Sequence, residues 1–161
     1  MRAMSDNTRS HSQPHVLRIA ISQAIAAAMK SPCRSQRGAA VWRGNTIISV
    51  GFNYVPAGDA CDGSTTCKQS CGLRAIHAEQ MALVRGDAHG AEMLHVHISR
   101  GHLMASGPPS CLQCSKLMLA AELSGMWLFH TAGWRRYDVE EFHRLTLAHH
   151  GFGVVPEVAN A

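Results

Sequence analysis

The sequence of 161 residues contains little charge, few aromatic residues and no long apolar run. No stretch approaches the roughly 18 to 20 consecutive apolar residues that a membrane-spanning helix requires. Residues 2–13 are polar and lack the layout of a secretory signal peptide. We therefore expect a cytoplasmic protein that has no membrane partner.

Charge and aromatic content together argue against a nucleic-acid partner. Aromatic residues make up 6% of the chain, and the formal net charge at pH 7 is +4. A surface that binds polynucleotides requires a clustered basic patch with exposed aromatic side chains, whereas the basic residues here are scattered. The small positive charge favours an anionic small molecule, such as a nucleotide, as the partner.

The rest of the composition is that of a folded protein, with 46% hydrophobic and 16% charged residues. A chain of this length can bury a core as one domain. Residues 1–13 contain almost nothing apolar to bury, and we interpret them as a flexible N-terminal tail. Residues 14–161 are predicted to form a single domain without repeats or linkers.

The spacing of apolar residues predicts the order α-β-β-α-β-α-β-α, which is typical of an α/β sheet with helices on its faces. The predicted helices cover residues 14–30, 74–84, 111–123 and 138–148, and the predicted strands cover 38–42, 46–51, 93–99 and 126–130. Loops are predicted over 53–72 and 101–109. Asp138 and Glu141 are expected to form a capping box at the start of the last helix.

Two short motifs, His77-Ala78-Glu79 and Cys111-Leu112-Gln113-Cys114, carry the strongest chemical signal. One imidazole and two thiolates can hold zinc tetrahedrally and leave the fourth position open to water, as in a catalytic zinc site. Cys111 and Cys114 lie in the opening turn of their predicted helix, where both can face one metal ion. Because positions i and i+2 point to different sides of a helix, we expect Glu79 to transfer protons rather than bind the metal.

Each motif has a simpler interpretation when it is taken alone. The Cys-x-x-Cys pair could be a redox pair or half of a structural zinc site, His77 an ordinary histidine, and Glu79 a solvated helix residue. Their joint occurrence is the signature of zinc-dependent nucleobase deaminases. The alternative from another functional class is a noncatalytic, zinc-stabilised binding module.

Four segments together resemble the cytidine and deoxycytidylate (dCMP) deaminase family in order and spacing. They are Gly38–Val41, Gly51–Asn53 with Pro56, His77–Gln80 and Cys111–Cys114. The dCMP branch is the most similar, because Ser31-Pro32-Cys33-Arg34 resembles its Ser-x-Cys segment. The resemblance covers roughly residues 15 to 150. It implies a three-layer α/β/α fold with a mixed sheet of about five strands, and it implies a homo-oligomer.

The resemblance also implies a role for each matching residue. His77, Cys111 and Cys114 are the expected zinc ligands, and Glu79 is the expected proton shuttle as zinc-bound hydroxide attacks C4 of a cytosine nucleotide or nucleoside, with dCMP to dUMP foremost. Asn53 is expected to contact the nucleoside; its alternative interpretation is a turn residue after a strand. The backbone of Ala78 is expected to lie against the base carbonyl.

The sequence differs from the family pattern at two positions, where Ser110 separates Pro109 from Cys111 and where Met81 replaces the asparagine of the dCMP branch. The same chemistry on another substrate therefore stays open. The alternatives are guanine, adenosine, or a base within tRNA or single-stranded DNA.

Four further cysteines are not used by the catalytic motif, namely Cys33, Cys61, Cys67 and Cys71. Four is the number of ligands in a closed tetrahedral zinc site. Some phage-type dCMP deaminases are similar in having a structural zinc held partly by a cysteine at the position of Cys33. We predict that these four cysteines hold a second, structural zinc. Alternatively, some of these thiols are unliganded, and a histidine such as His102 completes a mixed site.

Substrate choice is expected to depend on cations near the pocket. The candidates for binding a 5′-phosphate are Arg34, Arg37, Lys68 and Arg74, of which Arg34 is the expected substrate contact. Trp134 is expected to pack beneath the final helix, whereas Tyr137 could either pack or stack on a base.

Overall fold

The computed structural model describes residues 14–56 and 62–153, except for the side chain of Lys68. The tail predicted over residues 1–13 lies outside this part of the chain. The helices are α1 (His15–Ala28), α2 (Thr65–Arg74), α3 (Ala78–Val84), α4 (Leu112–Ala120) and α5 (Val139–His149). The strands are β1 (Gln36–Arg43), β2 (Thr46–Phe52), β3 (Glu92–Ser99), β4 (His102–Met104), β5 (Gly125–His130) and β6 (Gly133–Asp138).

The strands form one mixed sheet in the order β2-β1-β3-β5-β6, and the short β4 pairs with β3. Only β3 and β5 run parallel within the described part of the chain, and the other pairs are antiparallel. The expected mixed sheet is confirmed, and the described residues contribute six strands to it instead of about five, because the short β4 after β3 folds back to pair with it.

The two faces of the sheet are covered by different helices, which gives the expected three layers. On β1, Ala40 and Trp42 face α1, while Ala39 and Val41 belong to the second core, beneath α3 and α4. This alternation follows from the period of two along a strand. None of the helices that the structure describes has the length and apolar character needed to cross a membrane.

The helix predicted over residues 74–84 begins only at Ala78, as α3, and Arg74 is instead the last residue of a separate helix, α2, with extended backbone at Ala75–His77 between the two. Much of the loop predicted over 53–72 is therefore helical, which corrects that prediction. The side chain of Ser64 caps α2 by accepting a hydrogen bond from the N–H of Cys67 at 3.0 Å. Because α2 is polar, it has no apolar stripe by which the sequence could reveal it.

The strands β4 and β6 and the start of α5 also differ from the prediction. β6 is an edge strand with exposed arginines, so it lacks the pattern of a buried strand. The capping box at Asp138 and Glu141 is wrong, because neither carboxylate bonds the helix end. Asp138 instead accepts from Arg136, and Glu141 from Arg135 at 3.0 Å.

The position of α3 depends on its close contact with β2. A Cβ atom on Gly51 would lie 2.2 Å from the carbonyl oxygen of Ala78 and 2.6 Å from the N of Ala82. The Ser49 hydroxyl donates to the Ala82 carbonyl at 2.7 Å, and the N–H of Phe52 donates to the Met81 sulfur at 3.3 Å. The start of α3 is thus fixed directly on the sheet.

This contact predicts that Gly51→Ala destabilises the protein. The added methyl group would press on helix backbone, which cannot rotate away, so we expect a loss of about 1–3 kcal/mol in the free energy of unfolding. Gly153→Ala is the matched control, since an added Cβ there meets nothing within 4 Å; it should change stability by less than about 0.5 kcal/mol. Urea denaturation measures both, and equal stability of the two variants would contradict the packing of α3 on β2.

Candidate active site

Three potential metal ligands meet where α3 and α4 begin. His77 directly precedes α3, Cys111 directly precedes α4, and Cys114 lies in the first turn of α4. The His77 Nδ1 atom lies 3.2 Å from the Cys114 Sγ and 3.3 Å from the Cys111 Sγ. Within residues 14–56 and 62–153, this is the only group of three or more His, Cys, Asp or Glu residues close enough to hold a metal ion. The spacing of the two motifs predicts this meeting.

The orientation of His77 is set by bonds to atoms outside the metal cluster. Its Nε2–H donates to the carbonyl of Gly72 at 3.4 Å, and its backbone N–H donates to the Gln80 Oε1 at 2.9 Å. A proton on Nε2 leaves Nδ1 to bind a metal, and backbone carbonyls are common partners for the non-ligating nitrogen. This role of Gly72 could not be predicted from the sequence, because it depends on where α2 ends.

The pKa values of the three potential ligands favour the binding of a divalent cation. Hydrogen bonds from Cys114 and then His77 lower the pKa of Cys111 to about 5, and the bond to Cys111 raises the pKa of His77 to about 9. The neighbouring Cys111 raises the pKa of Cys114. The three groups therefore share protons that a metal ion could displace. One imidazole with two thiolates is also a donor set that zinc prefers, so the residues fit that ion.

Glu79 lies in the first turn of α3 and faces the cleft instead of joining the three ligands. Its side chain is 12% exposed, and its Oε1 lies 3.9 Å from the Nε2 of His95. Burial lowers the pKa of His95, so that ring is neutral and does not form an ion pair with Glu79 at neutral pH. The carboxylate can therefore interact with a molecule in the cleft.

The cleft has a volume of about 870 Å³, within the range of small-molecule sites. Its lining includes most of the residues singled out from the sequence: Cys33, Arg34, Arg37, Asn53, Cys67, Cys71, His77, Ala78, Glu79 and Cys111. Cys114 lies buried behind them. Trp134 packs against Phe129 in the core beneath α1, not beneath the final helix as predicted, and Tyr137 is buried against Phe142 of α5.

Asn53 is buried at the end of β2 and holds the segment before β1. Its Oδ1 accepts from the backbone N–H of Arg37 at 2.8 Å, and its Nδ2 donates to the Ser35 carbonyl at 2.9 Å. Each bond uses part of the capacity of the amide group, which has two N–H donors and two acceptor lone pairs. Asn53 therefore lines the cleft and also has a turn-like structural role, which was its alternative interpretation.

Two further histidines, His95 and His97, line the cleft and were not singled out from the sequence. They alternate along β3, so both face the same side of the sheet. Burial and then the charge of Arg37 lower the pKa of His97 to about 4. Their spacing, two residues apart within a predicted strand, could have identified them from the sequence.

The predicted second zinc site is only partly described. Cys33, Cys67 and Cys71 line the same cleft, but they do not form a three-ligand group among the described residues. Cys61 lies outside the described residues, so the four-cysteine site stays a prediction. His102 lies in β4 and joins no such group in the described part of the chain.

Comparison of the sequence with protein-family models and with curated proteins gave no match. Solved structures do match. A cytidine deaminase from Burkholderia pseudomallei is 20% identical, with a TM-score of 0.56 over 81% of this chain and 96% of that one. The dCMP deaminase from cyanophage S-TIM5 in apo form is 23% identical, with a TM-score of 0.52 over 71% of this chain and 82% of that one.

The same cyanophage enzyme in complex with dCMP and dUMP matches with a TM-score of 0.51 at 23% identity, over 72% of this chain and 82% of that one. At these identities the similarity concerns the fold. The family resemblance of the sequence is thereby confirmed at the level of architecture: the chain has the three-layer α/β/α fold of the cytidine and dCMP deaminases.

Proposed function

We propose that the protein is a zinc-dependent hydrolase that deaminates the base of a free nucleotide or nucleoside, with dCMP as the leading substrate. The observation that carries this proposal is the meeting of His77, Cys111 and Cys114 at a cleft into which Glu79 also points. A noncatalytic zinc module would have no need for a carboxylate beside the ligands.

The two components have separate tasks in this reaction. A zinc ion held by the three ligands would supply the Lewis acidity that makes water nucleophilic near neutral pH. The Glu79 carboxylate accepts the proton that the attacking water loses and delivers it to the ring nitrogen next to the amino-bearing carbon. A second proton passes through Glu79 to the amino group, which leaves as ammonia, while the water oxygen becomes the carbonyl of the product.

The surroundings of Glu79 suit this task. The side chain is largely shielded from bulk water, and its neighbour His95 is held neutral by burial. Ala78 is fully buried and lies in the cleft wall between His77 and Glu79. Its backbone is the proposed contact for the base carbonyl, which would orient the ring toward the carboxylate.

Cytosine nucleotides are the proposed substrate class because of the motif resemblance and the solved complex of the cyanophage enzyme with dCMP and dUMP. The cleft has room for a mononucleotide. Arg34 is exposed at its edge, and Asn53 is the proposed nucleoside contact. The expectations of a homo-oligomer and of a cytoplasmic location stay predictions. Guanine, adenosine and polynucleotide substrates are outcomes that a substrate panel distinguishes.

Replacement of Glu79, the proposed proton shuttle, tests the proposed deamination. We expect Glu79→Gln to keep zinc and fold but to lower the rate of ammonia release from dCMP by about 100- to 10,000-fold, because the amide cannot accept a proton. Glu140→Gln is the matched control, since Glu140 is exposed on α5 away from the cleft; its rate should equal that of the wild type. Normal ammonia release by Glu79→Gln would refute the mechanism.

Metal content tests the ligands independently of activity. Under native mass spectrometry, Cys111→Ser should bind one zinc ion fewer than the wild type, because a neutral hydroxyl is a poor substitute for thiolate. Cys33→Ala probes the second site: if the wild type binds two zinc ions, this variant should bind one. A wild type that binds a single zinc ion would eliminate the second site. Unchanged zinc in Cys111→Ser would eliminate the first as assigned.

A further inference from the structure

Arg37 differs from the other cations of the cleft in where its guanidinium lies. It is half-buried at the start of β1 and lines the cleft together with Glu79, His95 and His97. Its position follows from the sheet register, in which Arg37 is directly opposite His97 on β3. Directly opposed residues of an antiparallel pair project from the same face, and this is the face that carries the cleft.

The hydrogen bonds of Arg37 account for only part of its donor capacity. The Nε–H donates to the Ser35 hydroxyl at 3.1 Å, and this hydroxyl lies 3.1 Å from the Nε2 of His97. Because His97 is neutral, with a pKa of about 4, its Nε2 can accept the hydroxyl proton. Neither terminal nitrogen of Arg37 has a hydrogen-bond acceptor among the described residues, which leaves the planar end of the guanidinium unpaired.

The charge of Arg37 is also uncompensated at short range. Burial lowers its pKa, and the one opposing charge that acts on it within the described part of the chain is the Glu79 carboxylate, without a hydrogen bond between them. His95 and His97 add no negative charge. Desolvated charges in proteins are normally paired, and a guanidinium with two free terminal nitrogens matches the two oxygens of a carboxylate or phosphate.

The remaining cations near the cleft are already engaged or lie elsewhere. Arg34 is exposed, and its Nη1 donates to the Gly63 carbonyl at 3.0 Å. Arg74 does not line the cleft, and it donates to Ser70 on its own helix at 3.3 Å. The side chain of Lys68 lies outside the described part of the structure. Among the three candidate arginines, whose side chains the structure describes, Arg37 is therefore the one whose geometry suits a ligand.

We propose that Arg37 binds an oxyanion of the substrate through its two terminal nitrogens. This contact gives the enzyme its preference for substrates that carry the oxyanion over the corresponding neutral compounds. The oxyanion is either the phosphate of a nucleotide or a carboxylate on the base. Ser35 holds the guanidinium in place, and Asn53 holds the backbone of Arg37. This inference rests on the proposed deaminase function, which it makes more specific.

The experiment measures kcat/KM of the zinc-loaded enzyme for two pairs of compounds. The pair dCMP and deoxycytidine reports on a phosphate, and the pair 5-carboxycytosine and cytosine reports on a carboxylate. We expect Arg37→Met to lower kcat/KM for the charged member of one pair by about 10- to 100-fold, and to leave its neutral member within about twofold. Arg37→Lys keeps the charge but loses the two-pronged geometry, so its loss should be smaller.

Arg18→Met is the matched control, because Arg18 is exposed on α1, on the opposite face of the sheet. It removes the same charge, and its charged-to-neutral ratios should equal those of the wild type. Wild-type ratios in both Arg37→Met and Arg37→Lys, or equal losses for charged and neutral compounds, would overturn the proposal while leaving the deaminase function intact. If Arg37→Met fails to fold, Arg37→Lys alone decides.

The proposed function can fail separately. If the wild type releases ammonia from none of the four compounds, calorimetric titration of the zinc-loaded protein with dUMP, deoxyuridine and inorganic phosphate decides the role of Arg37. Tighter binding of dUMP or phosphate by the wild type than by Arg37→Met supports the oxyanion contact. Equal binding by the two proteins, or no binding by either, overturns it.

Discussion

The site depends on the start of two helices at the same edge of the sheet. Contact between α3 and β2 is possible because Gly51 has no side chain, and this contact fixes His77 and Glu79. The parallel pair of β3 and β5 requires a crossover connection, and α4 is part of it. This crossover begins beyond the carboxyl end of β3, where ligands bind in open α/β sheets. The two helix starts therefore meet at the edge where a cleft forms, and the metal ligands come together there.

Few of the ionisable groups in the site have a partner of opposite charge among the residues that the structure describes. The pKa of Cys111 is lowered to about 5 and that of Cys114 is raised, so the pair shares a proton that a divalent cation would displace. Binding of such an ion would stabilise the folded state, because the unfolded chain does not hold the three ligands together. His95 and His97 stay neutral beside Arg37. The cleft therefore presents a positive group, the Arg37 guanidinium, and a negative group, the Glu79 carboxylate, to charged molecules.

The extent to which the sequence predicts this structure depends on how local each feature is. The metal ligands and Glu79 belong to two motifs of fixed spacing, and the first helix has a clear apolar stripe, so both could be read directly. The strand β6 and the helix α2 have polar sequences, and they form because of pairing with β5 and a cap at Ser64. The sequence suggested a cap at Asp138 and Glu141, but nearby arginines of β6 compete for both carboxylates. The spacing of the two capping residues alone does not reveal such competition.

The two interpretations of Asn53 are physically linked. Its amide bonds the backbone of Ser35 and Arg37, so the residue fixes the segment from which the Arg37 guanidinium enters the cleft. The Ser35 hydroxyl and the neutral His97 ring hold the guanidinium from the other side. One N–H and one lone pair of the Asn53 amide are still available to a ligand. A structural role for Asn53 is therefore compatible with a substrate contact, since a bound nucleotide would meet Asn53 and Arg37 on one rigid wall whose geometry is set before the substrate arrives.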